Sequence, residues 1–298
     1  MLILGCILVL ITLALLIKRY EARMVLIGAG IVMCICAGNP MASLNAFAKG
    51  MGSGMISSAC SSMGFALVMR FTGCDKHLIN FLAKILTKVN MLIIPGVVLA
   101  TYAVNIALPS AAGTSAAAGA IFIPIMMGAG VHPAMAAAAV KCGTYGSMLN
   151  PGLAHNPFVA KIAGVDVMDV IAFHYHANIA SLIVAAIAIT AIAFITKENK
   201  GHVVEGLEME ENFKINPLYA LMPIVPIVIL LLGATKIVPA FKMGVAQAMV
   251  IGALLALIVT RTNPAALTKT FFDGMGKAYA DILGIILAAG VFVAGMNA

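Results

Sequence analysis

Long apolar runs alternate with short polar stretches along the whole chain. The runs cover residues 1–17, 24–38, 55–71, 91–108, 115–127, 133–149, 170–195, 217–235, 243–259 and 282–296. A helix needs about 20 such residues to cross a bilayer. In lipid every backbone N–H and C=O must be satisfied internally, which leaves helices or a closed barrel. Barrel strands would read as alternating segments of about 10 residues. These runs are longer and apolar on all faces. The pattern predicts an all-α, polytopic helical membrane protein with about ten hydrophobic segments. After the third run, Leu78, Ile79, Leu82, Ile85 and Leu86 share one side of a helix and Lys76, Asn80, Lys84 and Lys88 the other. That arrangement predicts an amphipathic helix over 75–88 lying on the membrane surface.

Composition strengthens this reading. Of 298 residues, 62% are hydrophobic and 10% charged, where a soluble domain carries roughly 25% charged residues. The net charge of +7 sits in short loops, as the positive-inside rule expects, so no nucleic-acid partner is implied. Lys18, Arg19 and Arg23 follow the first run rather than precede it, which is the reverse of a cleavable signal peptide. Arg70, Lys76, Lys84 and Lys88 follow the third run, Lys197, Lys200 and Lys214 the seventh, and Arg261, Lys269 and Lys277 the ninth. Odd-numbered helices are therefore expected to end in the cytoplasm. Cys6, Cys34, Cys36, Cys60, Cys74 and Cys142 show no Cys-x-x-Cys spacing, so no metal centre or disulfide scaffold is expected.

Two six-residue blocks match. Phe47-Ala-Lys-Gly-Met-Gly52 reads against Phe271-Phe-Asp-Gly-Met-Gly276, and each block follows two apolar runs and precedes another. An odd number of crossings separates them, so the second copy would enter the membrane from the opposite side. Inverted repeats of this kind are a frequent plan of secondary transporters. The expected organisation is a first transport repeat over 1–196, a polar cytoplasmic linker over 197–214, and the start of a second, inverted repeat over 215–298. On this reading the second repeat is incomplete, the chain is truncated or a fragment, and it does not transport alone.

Two places should break the helices. Residues 89–140 contain no Asp, Glu, Lys or Arg, and in their midst Asn105 precedes Leu-Pro-Ser-Ala-Ala-Gly-Thr-Ser. Pro109 removes a backbone donor, Gly113 permits backbone angles that other residues avoid, and Ser110, Thr114 and Ser115 can cap a helix restarting near Thr114. A half-helix N-terminus within the membrane binds carboxylates. The second break spans 149–158, where two Asn-Pro pairs flank Gly152 and His155. Asn150, His155 and Asn156 would then supply hydrogen bonds to a ligand. The alternative for both breaks is an ordinary loop outside the membrane with small residues for close packing. Lys141 lies within an apolar run, where a cation has either an anionic partner or a path to the surface. Arg70 and Lys161 are expected to snorkel. His174 and His176 stand two apart, on different faces of a helix, and read as structural. Asp281 is expected to open the last helix.

The small-residue break at 108–119 leads into Ile121-Phe-Ile-Pro124. Pro217-Leu-Tyr-Ala-Leu-Met-Pro-Ile-Val-Pro226, Phe272-Asp-Gly-Met-Gly276 and Ala288-Ala-Gly-Val-Phe292 follow. Together these resemble the DcuC family of anaerobic four-carbon dicarboxylate carriers, in the wider ion-transporter superfamily. The resemblance implies secondary active transport of fumarate, succinate, malate or aspartate in a bacterial inner membrane, by antiport or by cation-coupled symport. Members are longer by about half again and carry a second broken-helix motif that is absent here. Relatives also include amino-acid and other small organic-anion exchangers, which stand as the alternative.

The expected substrate-binding set is Asn105, Ser110, Gly113, Thr114, Ser115, Lys141, Asn150, His155 and Asn156. No cofactor is expected, and Na+ or H+ is the candidate coupling ion. The expected partners are the lipid bilayer and a small dicarboxylate anion, with a homo-oligomer left open. Neither His-Glu-x-x-His nor Gly-x-Ser-x-Gly occurs, so the chain does not read as an enzyme. A channel would differ from a carrier by conducting without counter-substrate.

Overall fold

A computed structural model describes residues 2–51, 54–87, 92–202, 213–235 and 238–298. Parts of five sequence expectations lie outside these residues: Met1 and Met91, which open two of the apolar runs, Gly52 of the first block, Lys88, and residues 203–212 of the polar linker. Among the described residues the chain is helical, with no strand. The elements are α1 (Leu2–Ile17), α2 (Ala22–Cys36), α3 (Pro40–Met51), α4 (Gly54–Thr72), α5 (Cys74–Leu86), α6 (Ile93–Ala107), α7 (Ala111–Gly128) and α8 (Pro133–Gly143). A 3₁₀ turn at Gly146–Leu149 leads to α9 (His155–Ala163) and α10 (Val167–Ile195). Then come α11 (Pro217–Leu221), α12 (Val225–Ala234), α13 (Val245–Thr260), α14 (Pro264–Ala278), a π turn at Tyr279–Leu283 and α15 (Gly284–Asn297).

Three of these helices are long and apolar enough to cross a membrane: Ala111–Gly128, Val167–Ile195 and the continuous Pro264–Asn297. Shorter apolar helices occupy 3–17, 22–36, 93–107, 225–234 and 245–260. The chain is a polytopic all-α membrane protein. Two expected single runs are interrupted. Residues 133–149 stop being α-helical at Gly143, because both Gly143 and Gly146 press on α6. A Cβ at Gly146 would lie 2.2 Å from the Tyr102 carbonyl oxygen. Residues 217–235 break between α11 and α12, where Pro223 and Pro226 each remove a backbone donor.

The chain folds into two compact units. One comprises residues 1–57 and 276–298. Here α15 packs on α2 and α3, and α1 packs on α2. Small residues let the backbones approach: a Cβ at Gly30 would meet the Val291 carbonyl oxygen at 2.5 Å, and one at Gly295 would meet the Gly30 carbonyl oxygen at 2.7 Å. Arg23 donates from Nη1 to the Ala280 carbonyl at 2.7 Å within this unit. Asp281 lies inside the π turn rather than at a helix start.

The other unit comprises residues 58–275. Its core joins Phe65, Val68 and Met69 of α4, Ile79 of α5, Val97, Val98 and Val104 of α6, Phe122 and Met126 of α7, and Met249 of α13. Helix α5 is amphipathic, with Leu78, Ile79 and Ala83 buried and Lys76 and Lys84 exposed, but Ile85, expected on the apolar side, is exposed as well. It lays that apolar stripe on α6, α7 and α11, so protein rather than lipid covers it.

The two matched blocks lie on helices. Helix α3 carries the first block up to Met51 and α14 carries the second. Both helices open on the same dipeptide, Asn39-Pro40 and Asn263-Pro264, at the same distance from their blocks. Proline suits a first helical position, where its missing N–H has no partner in any case.

Candidate functional site

The first break lies between α6 and α7. Helix α6 ends at Ala107, Leu108 and Pro109 are extended or irregular, and α7 begins at Ala111. Proline at 109 cannot supply the N–H that would continue α6. The restart is three residues earlier than the sequence predicts, because Ser110 alone is the cap. Its Oγ accepts from the Gly113 amide at 3.1 Å. The amides of Ala111 and Ala112 belong to the first turn and have no partner within the helix.

Thr114 has a different task from the predicted cap. It is buried, and its Oγ1 donates to the Leu108 carbonyl at 3.2 Å. Asn105, fully buried on α6, donates through Nδ2 to that carbonyl at 3.1 Å and to Thr114 Oγ1 at 3.2 Å. The Ser110 amide donates to the same carbonyl at 2.7 Å. The Leu108 carbonyl, left without a helical partner where α6 ends, thus has three donors. Gly113 lies in a regular helical turn, so backbone freedom is not its reason. A Cβ there would stand 2.9 Å from Ser110 Oγ and 3.2 Å from the Arg70 guanidinium. Glycine at 113 makes room for an arginine.

Arg70, in the last turn of α4, is the residue that sequence reading sent to the membrane surface. Its Nη2 donates to the Gly113 carbonyl at 2.8 Å. Arg70 remains exposed, and a guanidinium offers five N–H donors, so most of them are free for an anion. A cation and a helix N-terminus meet at one point, and both favour the same ligand charge.

The second break is shorter than predicted. Only Asn150–Ala154 is irregular, and α9 starts at His155. Asn105 Oδ1 accepts from the Ser147 amide at 2.7 Å, which ties the 3₁₀ turn to α6. Asn150, fully buried, donates to the Ile106 carbonyl at 2.7 Å and accepts from the Gly152 amide at 2.8 Å. Asn156 donates to the Met148 and Asn150 carbonyls, both at 2.9 Å. Its Oδ1 lies 3.2 Å from His174 Nε2. One hydrogen-bonded frame therefore runs from Thr114 through Asn105, Asn150 and Asn156 to α10. On α10, Tyr102 of α6 donates its hydroxyl to Asn178.

The remaining predicted residues thus differ in what they do. Asn105, Thr114, Asn150 and Asn156 spend their hydrogen bonds inside the protein and shape the breaks. Ser115 Oγ and His155 Nε2 are buried without a partner. Lys141 stands exposed in the last turn of α8, where a basic residue suits a helix C-terminus. Sequence reading missed Arg70, His174, Asn178 and Tyr102. The i, i+4 spacing of His174 and Asn178 on an apolar helix was the available signal. For Arg70 there was none. Among the described residues no group of three His, Cys, Asp or Glu side chains is placed to hold a metal ion.

The profile of the C4-dicarboxylate anaerobic carriers, DcuC, matches residues 63–298. The chain belongs to the DcuC family. The match includes Arg70, both breaks and the second Gly-Met-Gly block. Two proteins of Haemophilus influenzae, both described as uncharacterized transporters, are similar to this family member. One is 52% identical over 126 residues, covering 42% of this chain and 87% of its own length. The other is 39% identical over 162 residues, covering 50% and 58%. The anaerobic C4-dicarboxylate transporter DcuC of Escherichia coli K12 is 26% identical over 250 residues, 78% of this chain and 52% of its own. The chain thus spans a little over half the length of the latter two relatives. No solved structure matches.

Proposed function

We propose that this chain carries a substrate-binding region of a secondary transporter for C4-dicarboxylates of the fumarate, succinate, malate and aspartate class, in a bacterial inner membrane. Family membership supports the substrate class, and the placement of Arg70 at the start of α7 carries the reading. One carboxylate docks on the Arg70 guanidinium and the free amides of Ala111 and Ala112. Ser115 and His155 complete the set from their unpartnered polar atoms. The asparagine frame holds the two breaks in place and is neutral throughout, so the ligand meets one cation rather than a field of charges.

A carrier is favoured over an enzyme because the family is one of carriers. Exchange or coupling to Na+ or H+ follows from energetics. Bringing a dianion into a negative interior costs about 4.6 kcal/mol per 100 mV, twice the single-charge cost of about 2.3 kcal/mol. Swapping one dianion for another has no such cost. The shared Asn-Pro helix openings before the two Gly-Met-Gly blocks support a repeat, with 1–196 as the first copy, 197–214 as the cytoplasmic linker and 215–298 in the second, inverted copy. Movement of one bundle against another would give alternating access.

The test is equilibrium binding of labelled fumarate to the reconstituted chain, with unlabelled succinate, malate, aspartate, lactate and neutral amino acids as competitors. Dicarboxylates are expected to compete best. Hydrogen bonds to charged groups contribute about 1.5–3 kcal/mol, so Arg70→Gln should weaken binding by roughly 10- to 150-fold. Unchanged affinity in that variant, or equal competition by lactate, would overturn the proposal.

A further inference from the structure

The segment after the polar linker is held on α5 by one imidazole. The Asn216 backbone amide donates to His77 Nδ1 at 3.1 Å. Phe213 and Tyr219 flank the same ring, with centroids at 4.7 and 5.1 Å. Asn216 in turn caps α11, its Oδ1 accepting from the Leu218 amide at 3.0 Å, and α11 packs on α5. A backbone N–H is always a donor. The ring nitrogen facing it must therefore be unprotonated, which fixes His77 as the neutral Nε2–H tautomer.

We propose that His77 is a pH-sensitive latch, which holds residues 213–221 on α5 while its imidazole is neutral and releases them when it is protonated. A second proton on the ring would place N–H against N–H and abolish the bond. The aromatic neighbours oppose this, since an imidazolium is attracted to a ring face. Burial works in the other direction. It pushes His77 below the ordinary histidine range, against a smaller upward pull from the Asp75 carboxylate. Asp75 and Lys76 are its ionisable neighbours on α5, Lys214 lies on the docked segment between Phe213 and Asn216, and Tyr219 faces it from α11. Helix α6 carries Tyr102 as its titratable group, and α7 carries none.

The direction of the switch follows. The docked ring binds its proton more weakly than a free one of ordinary pKa about 6.5. The latch is thus fully closed above that value and loosens as pH falls through the docked ring's lower one. Between those two values each unit of acid weakens docking by up to about tenfold, and below the docked ring's own value the effect levels off. The latch lies in the α5 turn beside the site, since α5 starts four residues beyond Arg70. Asp75 also feels the Arg70 charge. Opening the latch would uncover the helix that leads away from the proposed carboxylate partner.

Hydrogen exchange of the whole chain in lipid nanodiscs tests this. Peptides covering 213–221 are followed from pH 7.5 to pH 5, with rates corrected for intrinsic exchange. The corrected protection is expected to fall several-fold or more on acidification, while peptides from α10 hold theirs. His77→Asn presents an oxygen near the position of Nδ1 and cannot titrate, so its protection should stay level across the range. His77→Leu should lack protection at every pH. A level profile in the wild-type chain, or an unaltered acid response in His77→Asn, would overturn the latch. Neither readout depends on substrate, so the latch and the transport reading stand or fall separately.

Discussion

Replacing Asn105 with alanine should be the most damaging single change in the frame of the broken helix. Three hydrogen bonds leave with the side chain. The shortest is the Ser147 amide to Oδ1 at 2.7 Å, and the other two reach Leu108 and Thr114 at 3.1 and 3.2 Å. The partners lose unequally. Leu108 keeps Thr114 Oγ1 and the Ser110 amide, so its carbonyl stays satisfied. The Ser147 amide has no substitute, and a buried unpaired donor costs about 1–3 kcal/mol. Adding the longer bonds at the lower end of their usual worth, we expect a loss of about 2–4 kcal/mol. Thr114→Val removes a donor to the same Leu108 carbonyl but strands no buried amide, so it should cost less than about 1 kcal/mol. Equilibrium unfolding in a mixed mild and denaturing detergent series reads both. Equal destabilisation by the two variants, or a loss below about 0.5 kcal/mol for Asn105→Ala, would show that the Ser147 amide is not what Asn105 secures.

Two further outcomes follow from packing and charge. A Cβ at Gly152 would lie 1.5 Å from Ser62 Oγ and 2.3 Å from its Cβ, so Gly152→Ala should destabilise by about 1–3 kcal/mol as an overpacked site does. Ser62→Gly in the same chain removes both clashing atoms and should recover most of the loss in the same unfolding series. Asp75 is almost fully buried, and burial raises its carboxyl above the ordinary range despite the Lys76 amide and the Arg70 charge. The folded state therefore favours the protonated acid. Its stabilisation is complete below the ordinary value of about 3.9 and fades as pH rises through the higher folded value. Asp75→Asn should erase this pH dependence in thermal unfolding between pH 3.5 and 7.5, and a matching slope in both proteins would refute it.

The helices were legible because apolar runs long enough to enter lipid leave the backbone little else to do. Pro109 and Pro151 mark the breaks for the same reason, since each removes a donor that a continuing helix would need. What stayed hidden depends on distance along the chain. Arg70 and Gly113 are 43 residues apart, and nothing local to Arg70 separates a ligand-facing arginine from a snorkelling one. Most of the apolar face of α5 is legible in the sequence, Ile85 excepted, but its covering is not, because a hydrophobic stripe is the same signal whether lipid or protein buries it. Residues 133–149 looked like one helix because glycines at 143 and 146 are tolerated in a helix by composition. Only the approach of α6 shows why the helix stops there. Thr114 and Ser110 were equally good caps on paper, and the geometry around the Leu108 carbonyl distinguishes them.

The two Asn-Pro pairs also bear on how the protein ages. Asparagine loses its amide most readily when the nitrogen of the next residue attacks it and closes a succinimide ring. That attack requires a nitrogen bearing a hydrogen. Asn150 and Asn156 each precede a proline, whose nitrogen has none. Proline at 151 and at 157 thus blocks the reaction that would turn a buried, neutral amide into a carboxylate. At these two positions of the frame, spontaneous conversion to aspartate by this route is closed for the lifetime of the chain.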